Sequence, residues 1–240
     1  MATAERLLTA ATRLETAGTT PELWDQFGRA IKSAGIANFI YLMLDCASGE
    51  VRRICSAHLS PAAFGPQDPF LTYCCNDFAP TYTGIEFLSD YKYLQDDARA
   101  YIEQAAKLGL RSGVALATRL RGGPRRGGFN LVSSLVRADF EATIVPCVAE
   151  LRTLCLIADR RLAELESAGL VRAGLTSAAE AFGLTARETE VLGVMAAGLS
   201  REECANRLGI SHGTVSSHLK ASYAKLGCRN LTEALLQLVR

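Results

Sequence analysis

The sequence predicts an α+β chain of two units. The first, residues 1–167, is an α-β-α sandwich with an antiparallel sheet; the second, residues 184–240, is an all-α helix-turn-helix unit of four helices; 168–183 form the linker. Three observations predict this. In the first part, apolar runs are joined as hairpins and bracketed by amphipathic helices, the pattern of an antiparallel sheet covered on both faces. The stretch "ESAGLVRAGLTSAAEAFG" is short of large apolar residues and carries three glycines, as a linker does. Beyond it only helical patterns follow, opened by capping residues.

In chain order, residues 3–17 and 21–34 read as helices, with Pro21 in the first turn of the second, where its missing N–H costs nothing. "NFIYLMLD" and "EVRRICSAH" read as strands joined by a turn at "CASGE". Proline-rich, irregular stretches follow, "LSPAAFGPQDPF" and "FAPTYTGIEFLS". "YLQDDARAYIEQAAKLG" is a helix with acids in its first turn and Gly109 at its end. "SGVALATRL" and "GFNLVSSL" are strands around the tip "RGGPRRGG", and a long helix from about 138 to 167 closes the unit.

In the second unit, Thr185 with Glu188 and Ser200 with Glu203 are two capping boxes, each opening a helix. Val191, Leu192, Met195 and Ala196 form the inner stripe of the first of these helices, and Gly198 ends it. A third helix starts after Ser211, and "LTEALLQLVR" is the last. Short helices joined through "LGIS" make a helix-turn-helix.

Composition excludes several classes. Hydrophobic residues make up 49% of the 240 and the net charge is only +1, so affinity for a polyanion needs a local patch. No apolar run is long enough to span a bilayer, and "MATAERLLTAATRLE" lacks the order of a signal peptide, so a cytoplasmic protein without membrane contact is expected. The eight cysteines include no C-x-x-C pair and the three histidines miss zinc-ligand spacings, so no metal and no cofactor is expected. Cys74 and Cys75 would form a thiol switch only if exposed; the alternative is that they are small core residues. The basic tip "RLRGGPRRGG" sits between strands, not at a helix start, and reads as a solvated hairpin rather than a phosphate cradle. No Ser/His/Asp or Cys/His set is legible, so the chain is not expected to be an enzyme.

The third helix of the second unit, within "LGISHGTVSSHLKASYAKLG", carries the functional signal. At about 100° per residue, Val215, Leu219, Ser222 and Leu226 fall in one sector and pack inward. Gly213, Ser216, Ser217, Lys220 and Ala224 point the other way, with Thr214, His218 and Lys225 on a flank. A face of small residues enters a DNA major groove, where Ser and Lys reach base edges and the flank holds phosphates. From Ser211 onward Lys220, Lys225, Arg229 and Arg240 stand against Glu233 alone. The alternative is a plain helical bundle with a bland surface.

The segment "LTARETEVLGVMAAGLSREECANRLGISHGTVSSHLKASYAKLGCRNLTEAL" resembles the DNA-binding domain of LuxR-type regulators. The resemblance implies Thr214, His218 and Lys225 as backbone anchors and Ser216, Ser217 and Lys220 at base-reading positions; Glu188, Leu192 and Gly198 match packing positions. Cys204 stands where the family usually has isoleucine. The first part resembles the autoinducer-binding domain of quorum-sensing regulators, through "AGIANFIYL", "DPF", "PTYTG" and "DDARAYIEQAAKLGLRSGV". That implies a pocket for an N-acyl homoserine lactone in which Asp68 accepts the ligand's amide N–H and Tyr82 packs on the lactone ring. Gly113 matches a family glycine, and Ser134 would reach the acyl carbonyl or a water. Beside that reading stands another, in which Asp68 caps a turn in "PQDPF" and Tyr82 is ordinary core. The sequence departs from the family ahead of Asp68, where "AHLSPAAFGPQDPF" has neither the family's tryptophan nor its tyrosine.

The expected function is therefore a transcriptional regulator that binds double-stranded DNA as a homodimer and responds to an N-acyl or aryl homoserine lactone or another small signal. The alternative is a ligand-independent interaction protein that sequesters a related regulator as an inactive heterodimer.

Overall fold

A strand buried on both faces needs apolar residues at successive positions, and β1 (Asn38–Asp45), "NFIYLMLD", supplies them from Phe39 to Met43. It lies inside a five-stranded sheet of order β2-β1-β5-β4-β3, every pairing antiparallel, with β2 (Val51–Cys55), β3 (Thr81–Thr83), β4 (Ser112–Arg119) and β5 (Arg125–Ser133). The computed structural model describes residues 2–56, 59 and 68–238. Its contacts divide the chain into two units, Met1–Leu162 and Ala163–Arg240.

In the first unit, α1 (Ala2–Glu15) and α2 (Thr20–Ser33) precede the sheet. Thr19 caps α2, its side chain accepting the Glu22 N–H at 3.3 Å. Trp24 and Phe27 of α2 close one sheet face with Phe39, Tyr41 and Phe129. Trp24 stacks on Phe39 at 5.4 Å, and Phe27 and Tyr41 each lie 4.9 Å from Phe129. The chain's single tryptophan is thus committed to this packing. Asp159 completes the layer, accepting from the Tyr41 hydroxyl at 2.9 Å and from Arg119 Nε at 3.0 Å. On the opposite face Ile40, Leu42, Ala115 and Val132 pack with Phe70, Cys74 and Leu110, and with Tyr101 and Ala105 of α3 (Asp96–Lys107).

The structure differs from the sequence expectation in several places. The three residues of β3, too few to show a period, lie in a stretch read as irregular. A π-helical turn, Phe70–Cys74, occupies another. The tip read as 121–128 loses its last four residues to β5, because Gly127 and Gly128 serve close strand approach instead of a turn: a Cβ on Gly128 would lie 2.3 Å from Leu116 O. The long helix expected from about 138 is interrupted by Pro146, which lacks an N–H and clashes with the preceding turn. It becomes α4 (Arg137–Thr143), a 3₁₀ turn Val145–Cys147 and α5 (Val148–Phe182). β2 stops at Cys55; Ala57 and His58, read as strand, lie outside the described residues.

The stretch read as a linker is helical to Phe182, where Gly183 (φ +64°) ends α5. Leu175 and Leu184 are buried in the core of the second unit. There α6 (Ala186–Ala196), α7 (Arg201–Leu208), α8 (His212–Leu226) and α9 (Leu231–Leu238) surround Val191, Leu192, Cys204, Val215, Leu219 and Ala234. Both capping boxes form as expected, Thr185 with Glu188 and Ser200 with Glu203.

Gly84 follows β3 at φ +94°, and a Cβ there would meet Arg111 O at 2.3 Å, the carbonyl that accepts the Glu86 N–H at 3.1 Å. Gly84→Ala is therefore expected to destabilise the first unit by about 1–3 kcal/mol. Urea denaturation should show a lower midpoint at unchanged slope; an unshifted midpoint would contradict the close approach.

Candidate functional site

The first unit holds a cavity between the α3-facing side of the sheet, the π-helical turn and the loop ahead of α3. Among the described residues its one wall carboxylate is Asp68. Oδ1 accepts the Phe70 N–H at 2.9 Å, and Oδ2 accepts the Tyr101 hydroxyl at 2.7 Å, with the Arg53 guanidinium 3.7 Å away. Asp68 therefore closes the turn at Pro69 and also stands in the cavity wall. The side chain is 7% exposed, and that burial raises its carboxyl above the ordinary range although Tyr101, Phe70 and Arg53 each pull it down. Burial and the neighbouring Asp68 charge push the Tyr101 phenol up. A buried carboxyl with such partners is a strong acceptor for an N–H entering the cavity.

Tyr82 also lines the cavity, its ring stacked 5.5 Å from Phe87. Gly113 lies in β4 opposite Thr83; a Cβ there would meet Thr83 Oγ1 at 2.7 Å and Asn130 Oδ1 at 3.1 Å. The glycine leaves room for the Thr83 hydroxyl to donate to Asn130 Oδ1 at 2.9 Å, and both residues line the cavity. Ser134, expected to reach a ligand carbonyl, is corrected: it is exposed just past the end of β5, outside the cavity wall. Asn130 and Val132, two residues apart on one face of β5, line the cavity, and Ser134 falls beyond the last residue of the strand.

The sequence reading passed over Tyr101, Arg53, Thr83 and Asn130. Arg53 pairs with Leu42 across β1 and β2 in the structure; the sequence carries no signal for that register. The thiol-switch reading of Cys74 and Cys75 is not supported, since both are buried and burial raises their thiols to about 12 and about 11. Among the described residues no group of three or more His, Cys, Asp or Glu could hold a metal ion.

In the second unit, α7 ends at Gly209 in the left-handed conformation (φ +64°, ψ +36°) and Ser211 caps α8, accepting the Thr214 N–H at 3.0 Å. This is the tight turn of a helix-turn-helix. Val215, Leu219, Ser222 and Leu226 are buried, as the helical wheel required. Gly213, Ser217, Lys220 and Ala224 are exposed, and Ser216, Thr214 and His218 are half-buried. Ser217 Oγ donates back to Gly213 O at 3.0 Å, and Thr214 Oγ1 lies 2.8 Å from Ser211 Oγ. Among the described residues Lys220 carries no ion pair.

Lys225 is differently placed. Its Nζ donates to Glu188 Oε2 at 2.7 Å and to Gly183 O at 3.0 Å. Glu188 Oε2 also accepts the Thr185 N–H at 2.7 Å. One buried carboxylate thereby joins the start of α6 to the last turn of α8, and the Lys225 ammonium, expected as a phosphate anchor, already has two partners within the chain. Burial raises the Glu188 carboxyl, but Lys225 and Thr185 outweigh it and hold the group below its ordinary value. Arg187 Nη2 likewise caps α7 by donating to Leu208 O at 2.9 Å.

A carboxyl depressed in the folded state stabilises above its unfolded pKa, and that contribution is lost as pH falls through the folded value. The second unit should therefore lose stability from about the ordinary glutamate value, 4.5, downward, and Glu188→Gln should flatten that dependence in pH-resolved thermal melts. Lys225→Ala is expected to cost about 1.5–3 kcal/mol of stability by stripping a charged partner from Glu188. Lys220→Ala should leave stability unchanged and weaken specific DNA binding by about 1–3 kcal/mol. Melting and DNA titrations in which the two lysine variants behave alike would contradict this division.

Residues 183–238 match the family described as bacterial regulatory proteins, luxR family, and residues 19–162 match the autoinducer binding domain. The putative HTH-type transcriptional regulator YhjB of Escherichia coli (strain K12) is 44% identical over 55 residues, 23% of this chain and 28% of that protein. The transcriptional regulatory protein LnrK of Bacillus subtilis (strain 168) is 41% identical over 61 residues, 25% of this chain and 28% of that protein. The chain thus spans little more than a quarter of either curated relative. Among solved structures, Escherichia coli SdiA aligns over 98% of both chains with TM-score 0.51 and 17% identity. CepR2 of Burkholderia cenocepacia, described as an N-acylhomoserine lactone dependent LuxR family transcription factor, aligns over 68% of this chain and 99% of its own, with TM-score 0.51 and 16% identity. At these identities the structural likeness concerns the fold.

Proposed function

Because the chain belongs to the LuxR family of regulators, with an autoinducer binding domain ahead of a LuxR-type helix-turn-helix domain, we propose that it controls transcription in response to an N-acyl homoserine lactone or a related amide held in the first unit's cavity. It is a transcriptional regulator and not an enzyme. The observation that carries the ligand reading is Asp68, a buried acceptor in the wall of a largely apolar cavity. An amide N–H approaching that carboxyl makes a charge-assisted bond, and the apolar walls take the rest of the molecule.

On DNA, α8 enters the major groove with Ser216, Ser217 and Lys220 toward base edges and Thr214 and His218 toward phosphates. Reading a two-fold symmetric site takes two copies of α8, so the active form is a homodimer. Among the described residues no helix is long and apolar enough to cross a membrane.

One observation favours the second reading, a ligand-independent partner that sequesters a related regulator: the Asp68 oxygens already have partners within the chain. Titration with a panel of homoserine lactones separates the two. If the cavity is the signal site, at least one lactone raises the melting temperature of the wild type, and Asp68→Asn weakens its binding by one to two decades, the worth of a charged acceptor, about 1.5–3 kcal/mol. A lactone that binds wild type and Asp68→Asn equally would remove Asp68 from the site. No response to any lactone, with DNA binding absent as well, would favour sequestration.

A further inference from the structure

Five of the chain's seven tyrosines, Tyr73, Tyr82, Tyr91, Tyr93 and Tyr101, line this one cavity. Two are engaged in the wall itself: Tyr101 by Asp68 and Tyr82 by its stacking on Phe87. The other three form a chain of ring contacts, with Tyr73 and Tyr93 5.8 Å apart and Tyr91 and Tyr93 5.9 Å apart. They come from separate segments, Tyr73 from the π-helical turn and Tyr91 and Tyr93 from the loop ahead of α3.

Packing explains the aromatic group on the other sheet face, where Phe27 and Phe129 are fully buried against their neighbours. It does not explain Tyr93, which is 59% exposed while belonging to the cavity wall. A tyrosine left open at a cavity rim offers rigid, planar contact area at little conformational cost. Aliphatic walls serve a flexible alkyl chain equally well from many directions; ring walls favour a second ring, through offset or edge-on contacts.

We infer that the cavity selects a ligand whose acyl portion is aromatic, an N-aroyl or N-cinnamoyl amide, with its ring against Tyr73 and Tyr93 and its amide toward Asp68. This rests on the cavity being the signal site and names the class of signal it takes. The phenol of Tyr93 is not required for ring contact, so phenylalanine would serve in its place and leucine would not.

The test is calorimetry on the full chain with cinnamoyl- and octanoyl-homoserine lactone, for wild type, Tyr73→Leu, Tyr93→Leu and Tyr93→Phe. Wild type should bind the cinnamoyl compound about three- to tenfold more tightly, the range of an aromatic pair. Each leucine variant should lower the cinnamoyl-to-octanoyl affinity ratio toward one, and Tyr93→Phe should keep it. Thermal melting of the unliganded variants shows whether they are folded, and at the exposed Tyr93 leucine should leave it unchanged. Octanoyl binding as tight as or tighter than cinnamoyl, or a preference that survives both leucine variants, would overturn the aromatic assignment while leaving the cavity as the signal site. Failure of the wild type to bind either lactone would overturn both.

Discussion

The first unit is governed by one constraint: its five-stranded sheet must be covered on both faces, and the two faces are covered differently. On one, Trp24, Phe27, Phe39, Tyr41 and Phe129 pack ring against ring, and Asp159 ties the layer to α5 through Tyr41. On the other, α3, the π-helical turn and the loop between them cover the strands without filling the space, and the cavity is what remains. Placing Trp24 in the closed layer makes that layer dense. It also means that the family's tryptophan contact to a lactone has no counterpart from this residue. Polar recognition in the cavity then falls to side chains that the strands and α3 present: Asp68 with Tyr101 and Arg53, and Asn130 with Thr83 over Gly113.

The second unit depends in a similar way on a single buried acid. Glu188 completes the capping box of α6 and receives Lys225 from the last turn of α8, while Lys225 also reaches Gly183 at the end of α5. These contacts hold α8 by its C-terminal end and leave its small-residue face and Lys220 to solvent. The division between Lys225 and Lys220 is one of partnership: Lys225 is bonded to a buried carboxylate, and among the described residues Lys220 has no ion pair.

Local signals were legible in the sequence. The span of β1, the Thr185 and Ser200 capping boxes, and the four inward residues of α8 all follow from periodicity and capping chemistry within a few residues. What was not legible depends on distant partners. The hydroxyl on Asp68 comes from Tyr101, 33 residues on, and the acid that takes Lys225 lies 37 residues back. A helical wheel places Lys225 on a flank without saying what the flank faces. Ser134 was assigned by position along the last strand, but β5 ends at Ser133 and the inward position belongs to Asn130. Gly169 and Gly183 read as linker; only Gly183 ends the helix, since Gly169 sits within α5 with nothing near its would-be Cβ.

We propose that α8 reads DNA under the control of a ligand in the cavity. The most direct measurement is selection from a random duplex pool by the full chain, with and without a lactone that raises its melting temperature. The expected result is enrichment of a two-fold symmetric sequence whose half-sites are about one helical turn apart, with the enrichment changed by the ligand. Recovery of no common sequence in either condition, with only salt-sensitive nonspecific retention, would contradict it.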